Sequence, residues 1–418
     1  MRRPGSSTPL GDRRFRLFWI GRTVSFAGNS LAVVAMPFAV LQSGGGLAGI
    51  GYVLAAGSIP RIVFMLAGGV FSDRLPRRLV IISSDITQAV AYSVVAVLLL
   101  THSATLGLLI AAQAVYGVAS AFFTPALAGI VAELVDGQLR QKANALLSLS
   151  RNIGGVVALG LGGLLVALAG PGTSFAIDAA SFAVSVGCLA AVPMARKIRT
   201  PSGFLADLAE GWREVVQRRW FWVNLIAHNL WNLGFAAYAV TGPVIVDRSL
   251  GGPAMWGAAM ASYAGGAAIG STVALRLRVS RPIVVGNLTL CLAAFQLLAL
   301  AWRVPLGLLC TAAFFAAAGG VVMNVLWDTT VQSLVPESVL SRVDSYDWLL
   351  SLIAVPLGYA IVGPLVAAYG DRAVLIGAAG LVSVPCLLAL AVPSVRNVRR
   401  APEEEAGGVT PAIAATTP

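Results

Sequence analysis

The sequence predicts an all-α membrane protein whose twelve transmembrane helices form two six-helix repeats. Three observations predict it: the composition, the spacing of long apolar runs and the placement of the basic residues. Of 418 residues, 57% are hydrophobic and 11% are charged, whereas a soluble globular chain carries roughly 25% charged residues. So little charge cannot cover a soluble fold, and the repeated apolar runs, each about 20 residues long, predict membrane-spanning helices.

The apolar runs divide the chain into five regions. A basic tail at 1–15 precedes a first half at 16–194, and a linker at 195–219 leads to a second half at 220–394 and a tail at 395–418. The linker alternates apolar and charged residues at helical spacing, which predicts an amphipathic helix on the membrane surface. The last tail has a disordered composition. The predicted spans are 17–41, 48–71, 79–100, 105–131, 144–168, 173–194, 220–246, 254–275, 282–302, 305–327, 346–368 and 373–394.

The placement of the 29 Lys and Arg residues predicts the orientation. Most lie in the two tails and in the loops on one side of the spans. The others are three in loops of the opposite side and three within spans: Arg248, Arg303, Arg372, Arg22, Arg61 and Arg151. Cytoplasmic loops carry such an excess, so we expect a plasma-membrane protein with both termini in the cytoplasm. The same placement argues against a nucleic-acid partner despite the net charge of +11.

The two halves resemble each other in sequence. After a shift of about 200 residues, Lys142 falls on Arg342 and Gly170 falls on Gly370. A six-span unit repeated in the same orientation is typical of membrane proteins whose halves rock around a site near the midplane.

The most specific motif lies between spans 2 and 3. It reads Gly69-x-x-x-Asp73-Arg74-x-x-Arg77-Arg78 and resembles the signature loop of major facilitator superfamily transporters, with Pro76 where the family pattern has Gly. The resemblance covers the whole chain and implies the major facilitator fold. For the loop it implies a latch, centred on Asp73, that stabilises the outward-facing state. The alternative is a basic loop that only sets the topology.

Several stretches are similar to the drug:proton antiporter branch that contains macrolide and siderophore exporters, especially its actinobacterial members. They include Ile59-Pro60-Arg61, Asp178-Ala-Ala-Ser-Phe182 and Leu326-Trp327-Asp328. The chain departs from that branch in two places. Gln113 stands where an Arg is common, and Ala158-Leu159 replaces a Gly-Pro pair. The resemblance implies export of small molecules with protons as the coupling ion.

Charges within spans are the second strong signal, because each costs a few kcal/mol or more unless it is paired or hydrated. Arg22, Asp85 and Arg151 lie about 8–12 Å from the cytoplasmic ends of their spans at 1.5 Å per residue. We therefore predict a charge cluster centred on Asp85. It would be either a gate or proton-linked switch, or a structural ion pair.

Other polar residues within spans are candidates for the cavity or for coupling. Arg61, near midspan, suits an anionic group, or else it snorkels towards the membrane surface. Asp178 is expected to stabilise the first turns of its helix or to act in coupling. His228 could titrate near neutral pH or pack as a hydrogen-bonded residue. Gln113, Asn232 and Asn324 are expected to line a cavity.

Nothing in the sequence indicates an enzyme or a cofactor. A Gly-x-x-x-x-Gly-Lys-Ser/Thr loop is lacking, and the two histidines and four cysteines do not have metal-ligand spacing. The main hypothesis is a monomeric, proton-coupled exporter of hydrophobic or amphipathic molecules in the lipid bilayer. Two alternatives remain: a facilitator or importer of a small polar or anionic metabolite, and a non-transporting sensor or scaffold.

Overall fold

The structure is a computed structural model that describes residues 8–135, 139–192, 212–213 and 215–399. These residues are helical apart from short turns, and they contain no strand, which confirms the predicted all-α class. After a 3-10 turn at Pro9–Gly11, the helices are α1 (Arg13–Gln42), α2 (Gly46–Arg74), α3 (Arg77–Leu100), α4 (Leu106–Leu134), α5 (Arg140–Ala190), α6 (Arg219–Ser249), α7 (Pro253–Arg276), α8 (Pro282–Leu290), α9 (Leu292–Ala301), α10 (Leu306–Leu334), α11 (Glu337–Leu352), α12 (Val355–Tyr369), α13 (Asp371–Ala389) and α14 (Pro393–Arg396).

Ten stretches of the described chain are long and apolar enough to cross a membrane. One of them, α5, has 51 residues and would measure about 76 Å if straight, far more than the ~30 Å hydrocarbon core. It folds back at Gly170, where φ is 77° and ψ is 165°, into a first arm (140–169) and a second arm (171–190). With these two arms and the 31-residue α6, the structure is consistent with twelve crossings.

Successive crossings alternate in direction, so the bundle has two ends. We call the end where α1 begins and α13 finishes the termini end, and the end with the turns at 43–45, 170, 250–252 and 370 the far end. Turns at equivalent places in the two halves have the same backbone. Gly370 has φ 80° and ψ 155°, close to Gly170, and His102 and Arg303 both have positive φ, 54° and 49°. The sequence repeat is therefore also a repeat of backbone conformation.

The apolar core is divided unequally between the two ends. At the far end, buried side chains from both halves form one cluster, which includes Val40 and Phe175 of the first half and Val246 and Leu300 of the second. At the termini end, each half has a cluster of its own. The two halves are thus packed together at the far end, whereas at the termini end the packing lies within each half.

Glycines bring the halves together at the far end. A Cβ added at Gly163 of α5 would lie 2.5 Å from the carbonyl oxygen of Pro253 and 2.6 Å from the Cα of Gly257 in α7. Likewise, Gly51 of α2 lies against the carbonyl oxygen of Tyr359 in α12. At these crossings the two backbones are in direct contact, which only residues without a side chain allow.

Two predicted spans are interrupted. The span predicted at 282–302 consists of α8 and α9, which meet at Cys291, and that predicted at 346–368 is interrupted by a turn at 353–354. Pro356 in the first turn of α12 explains the second break, since Pro supplies no N–H to a continuing helix. At the first break, the indole of Trp231 donates a hydrogen bond to the carbonyl of Leu290 at 3.1 Å.

Parts of the predicted tails and linker lie outside the described residues. These are 1–7, 193–211, 214 and 400–418, so the predicted amphipathic helix is tested only at its end. There, 212–213 and 215–217 are helical, Val215 is buried in the termini-end cluster of the second half, and the Trp212 ring lies 5.6 Å from that of Tyr346.

Candidate functional site

A buried ion pair lies inside the first half. Arg22 of α1 donates from Nη2 to Oδ2 of Asp85 in α3 at 2.5 Å, and the two side chains are 2% and 0% exposed. Ser185 of the second arm of α5 donates to the same carboxylate oxygen at 2.8 Å and also contacts Arg22. The guanidinium carbon lies 4.9 Å from the centroid of the Phe123 ring. Three helices thus meet at one neutralised pair of charges.

Arg151 was predicted to join this cluster, but the structure places it elsewhere. It is exposed, and its guanidinium lies 5.0 Å from the centroid of the Phe26 ring. No carboxylate of the described chain lies within ion-pair distance of it. Equal depth along the spans does not specify the helix face, so a match in depth could not decide which of the two arginines meets Asp85.

Ser185 was not among the predicted residues, although the sequence contained a signal for it. Ser174, Asp178, Ser181 and Ser185 recur at intervals of four, three and four residues, which is the spacing of one helix face. All four are buried. They form a polar stripe along the second arm of α5, and this stripe packs against Gly21 and other small residues of α1.

Asp178 is fully buried in this stripe rather than at the start of a helix. The second arm begins two turns earlier, so Asp178 does not cap it. The Ser181 hydroxyl lies 3.1 Å from Oδ1, while Oδ2 finds no hydrogen-bond partner within the described chain. A Cβ at Gly28 of α1 would lie 2.6 Å from Oδ1. The carboxyl is therefore enclosed between two closely packed helices.

Gln113 belongs to a set of hydroxyls and amides beside the stripe. The Tyr92 hydroxyl donates to Oε1 of Gln113 at 3.3 Å, and the Tyr116 hydroxyl donates to Oδ1 of Asn29 at 2.7 Å. The two tyrosine rings stack with centroids 4.6 Å apart. Gln113, Tyr116 and Asn29 are partly exposed, whereas Tyr92 is buried.

Arg61 lies on α2, the helix that packs against α12 of the second half. It follows Pro60 inside α2 and is exposed. Its charge is within electrostatic range of the hydroxyls of Tyr116 in the first half and Tyr359 in the second. The side chain of a helical residue leans towards the N-terminus of its helix, which directs Tyr359 away from the far end and towards Arg61.

Polar residues of α6 hold the interrupted α11–α12 region. Asn232 donates to the carbonyl of Ser351 at 3.0 Å, and Asn229 donates to that of Leu350. Both carbonyls lie just before the turn at 353–354. The ring of His228 packs edge-on against Trp327 at 5.1 Å, and within the described part of the chain its Nε2 has no partner.

Asn324 of α10 is exposed. The three candidates on α6 and α10 therefore lie apart: His228 in packing, Asn232 at the interrupted helix and Asn324 at a surface.

An aromatic row runs along α6 in the second half. Trp231 and Phe235 stack with centroids 4.8 Å apart, and Phe235 lies 5.8 Å from Tyr238 and 6.2 Å from Tyr263. Trp231, Phe235 and Tyr263 are partly exposed. These rings offer apolar, polarisable faces that suit planar or greasy molecules.

The signature loop joins α2 and α3 at the termini end. The structure places Gly69, Asp73 and Arg74 in the last turns of α2, but their side chains lie outside the described residues. Arg77 pairs with Glu133 of α4 at 3.2 Å. Arg78 donates to the carbonyls of Leu189 and Ala190 at 3.0 and 2.5 Å, so it neutralises the C-terminal end of α5.

Comparison with known proteins identifies the family. The sequence profile of the Major Facilitator Superfamily matches residues 18–345. The chain belongs to the major facilitator superfamily. It is 28% identical over 400 residues to the multidrug efflux pump Tap of Mycolicibacterium fortuitum, covering 89% of this chain and 94% of that one. It is 25% identical over 403 residues to the enterobactin exporter EntS of Shigella boydii, with 93% and 94% covered.

The fold agrees with this assignment. The crystal structure of the nucleoside transporter NupG superposes with a TM-score of 0.73 at 14% identity, covering 90% of this chain and 98% of that one. The chain is thus a multi-pass membrane transporter of the major facilitator superfamily, as its signature loop and repeated halves predicted.

Proposed function

We propose that this transporter exports hydrophobic or amphipathic small molecules in exchange for protons, by alternating access, and that the structure is its cytoplasm-open state. The distribution of packing carries the proposal, because the halves share a core at the far end and have separate cores at the termini end. Halves that rock around a midplane site expose it to each side in turn. The relatives named a multidrug efflux pump and an enterobactin exporter support the outward direction.

The orientation of this cycle rests on the basic residues. The loops and tails at the termini end contain most of the Lys and Arg residues, including Arg77, Arg78 and Arg140. Such an excess is typical of the cytoplasmic side. With both termini in the cytoplasm, the open termini end admits cargo from inside the cell.

The aromatic row is the proposed cargo surface. Its partly exposed rings, Trp231, Phe235 and Tyr263, provide stacking faces in the half of the protein opposite the buried ion pair. Apolar cargo gains roughly 25 cal/mol for each Å² of apolar surface removed from water, and ring faces add attraction for cations. These two terms favour amphipathic molecules with an aromatic or cationic part.

Ethidium efflux from cells expressing the full chain tests the proposal. We expect efflux that a protonophore abolishes and that slows in Phe235→Ala, because the central ring of the row is lost. Phe295→Ala is the matched control, since Phe295 is 63% exposed in α9 and outside the row. Efflux at an equal rate with and without the protonophore would refute proton coupling, and equal effects of the two substitutions would refute the cargo surface.

A facilitator for a small anionic metabolite is the second candidate. It is favoured by Arg61, an exposed cation within electrostatic range of hydroxyls from both halves. In such a protein, flux follows the cargo gradient alone. Uptake of a labelled organic anion that is insensitive to a protonophore and lost in Arg61→Gln would favour this function over export.

A further inference from the structure

Two buried carboxyls in the first half have different surroundings. Asp85 is matched by Arg22 at 2.5 Å and bonded by Ser185. Asp178 is also fully buried, but the described chain places no cation within ion-pair distance of it. A buried carboxylate without a cation is costly, so such a group tends to be neutralised by a proton. Each carboxyl has one buried oxygen without a hydrogen-bond partner in the described chain, but Asp85 forms a neutral pair with Arg22, whereas Asp178 needs a proton to be neutral.

The groups facing Asp178 come from each neighbouring element. On its own helix, Ser181 bonds Oδ1. From α1, Gly28 lies against the carboxyl. The charged group within electrostatic range is Asp85 of α3, which is paired with Arg22 of α1. The remaining neighbours are neutral hydroxyls, Tyr92 of α3 and Tyr116 of α4, both within electrostatic range of Asp178. Arg61 of α2 is within electrostatic range of Tyr116.

A hydrogen-bonded pair of polar side chains, Asn29 and Tyr116, lies beside this pocket. The Tyr116 hydroxyl donates to Asn29 at 2.7 Å, and both residues are partly exposed. Asn29 follows Gly28, whose backbone lies against Asp178. A hydroxyl passes a proton on together with water, whereas an amide only orients the hydroxyl by accepting its hydrogen bond. The free oxygen, Oδ2, is the atom left to receive it.

We infer that Asp178 is the proton carrier of this transporter, and that the Arg22–Asp85 pair is a fixed part of the framework. The inference rests on the proposed proton-coupled export. A proton adds to Oδ2 when water from outside reaches the pocket, and the same O–H bond breaks to release it to cytoplasmic water. The acid is neutral while it is enclosed between α1 and the second arm of α5.

The position of Asp178 between α1 and the second arm of α5 links its protonation to helix packing. Gly28 leaves no room for a side chain between α1 and the carboxyl. If Asp178 is ionised, its carboxylate must be solvated by water or paired with a cation. The closed contact between the two helices provides neither. Loss of the proton therefore favours the conformation that opens the pocket, whereas the protonated acid is compatible with the closed one.

The test uses the purified full chain in proteoliposomes, with ethidium as the probe. Two modes of transport are measured: accumulation driven by a pH gradient, and counterflow of labelled against unlabelled ethidium without a gradient. In Asp178→Asn, which keeps the shape and removes the titratable group, we expect accumulation to fall to the level without a gradient while counterflow persists. Ser174→Ala, one turn away in the same buried stripe, should retain both modes.

The outcomes separate the inference from the proposed function. Wild-type accumulation that Asp178→Asn retains refutes the role of Asp178 and leaves proton-coupled export intact. A wild-type protein that exchanges ethidium but ignores the pH gradient refutes both.

If the variant loses both modes, infrared difference spectra of the wild type between acidic and alkaline pH decide. The C=O band of a buried protonated carboxyl should disappear on the alkaline side in the wild type and in Asp85→Asn alike. Absence of such a band overturns the inference.

Discussion

The substitution Asp85→Asn separates the contribution of a buried charge pair from that of an exposed one. It keeps the size of the side chain but removes the charge, so Arg22 keeps only neutral neighbours: the new amide, Ser185 and the Phe123 ring. The Arg22 side chain is 2% exposed, and water cannot reach it unless the helix bundle opens. Removing one partner of a buried pair costs about 3–5 kcal/mol, and we expect that loss in the free energy of unfolding.

The matched control is the pair between Arg303 and Asp371 at the far end. The distance from Nη2 of Arg303 to Oδ2 of Asp371 is 2.7 Å, close to that of the buried pair, but the side chains are 47% and 29% exposed. An exposed pair contributes about 0–1 kcal/mol, so Asp371→Asn should have little effect. Unfolding of the purified protein by sodium dodecyl sulfate in mixed micelles gives both free energies on one scale.

A double variant completes the test. Arg22→Met with Asp85→Leu replaces the pair by apolar side chains, a change that is often neutral or stabilising for buried pairs. It should recover most of the stability that Asp85→Asn loses. If Asp85→Asn and Asp371→Asn lose the same free energy, or if the double variant is less stable than Asp85→Asn, the reasoning from burial is wrong.

Two further substitutions test the contacts that hold the two halves and the interrupted helix. Gly163→Val should separate the halves at the far end, because a Cβ there would lie 2.6 Å from the Cα of Gly257; distances between spin labels across that end should increase. Asn232→Leu should cost about 1–3 kcal/mol because the Ser351 carbonyl loses its donor; detergent unfolding measures the loss, and hydrogen exchange should quicken around the turn at 353–354.

Each of these substitutions has a control of the same chemistry. Gly187→Val adds the same side chain where nothing lies within 4 Å of the new Cβ, and label distances should not change. Asn324→Leu replaces an exposed Asn and should change stability by less than about 0.5 kcal/mol. Equal effects in variant and control would contradict the proposed contacts.

The fold class could be predicted from the sequence because each apolar run indicates its own helix, independently of the others. Apolar runs located most helix ends to within about five residues, but α10 extends seven residues beyond its predicted span and α11 begins nine residues before its own. The equivalence of Gly170 and Gly370 reappears as two turns with nearly the same φ and ψ. The interruption at 353–354 had a local cause in Pro356. The interruption at Cys291 has no such local signal in the sequence. It coincides instead with a tertiary contact, the hydrogen bond from Trp231 to the carbonyl of Leu290.

The candidate site was only partly predictable. Depth along a span follows from residue count, so Arg22 and Asp85 could be placed at one level. Which residue faces which depends on helix rotation, and this is why Arg151 was placed in the cluster although it lies over Phe26. For Asp178, depth alone allows both a role in the first turns of its helix and a role in coupling; the periodicity of the surrounding serines is the signal that places it on a buried face.

The buried pair has a consequence for the order of membrane insertion. Arg22 is synthesised 63 residues before Asp85 and 163 residues before Ser185. A lone Arg at the centre of a helix disfavours insertion by about 2.5–3.5 kcal/mol. Arg22 lies nearer the start of α1 and costs less than that, but its charge has no counter-ion until α3 arrives. All three residues belong to the first half, and that half can neutralise its own charge before the ribosome completes the second.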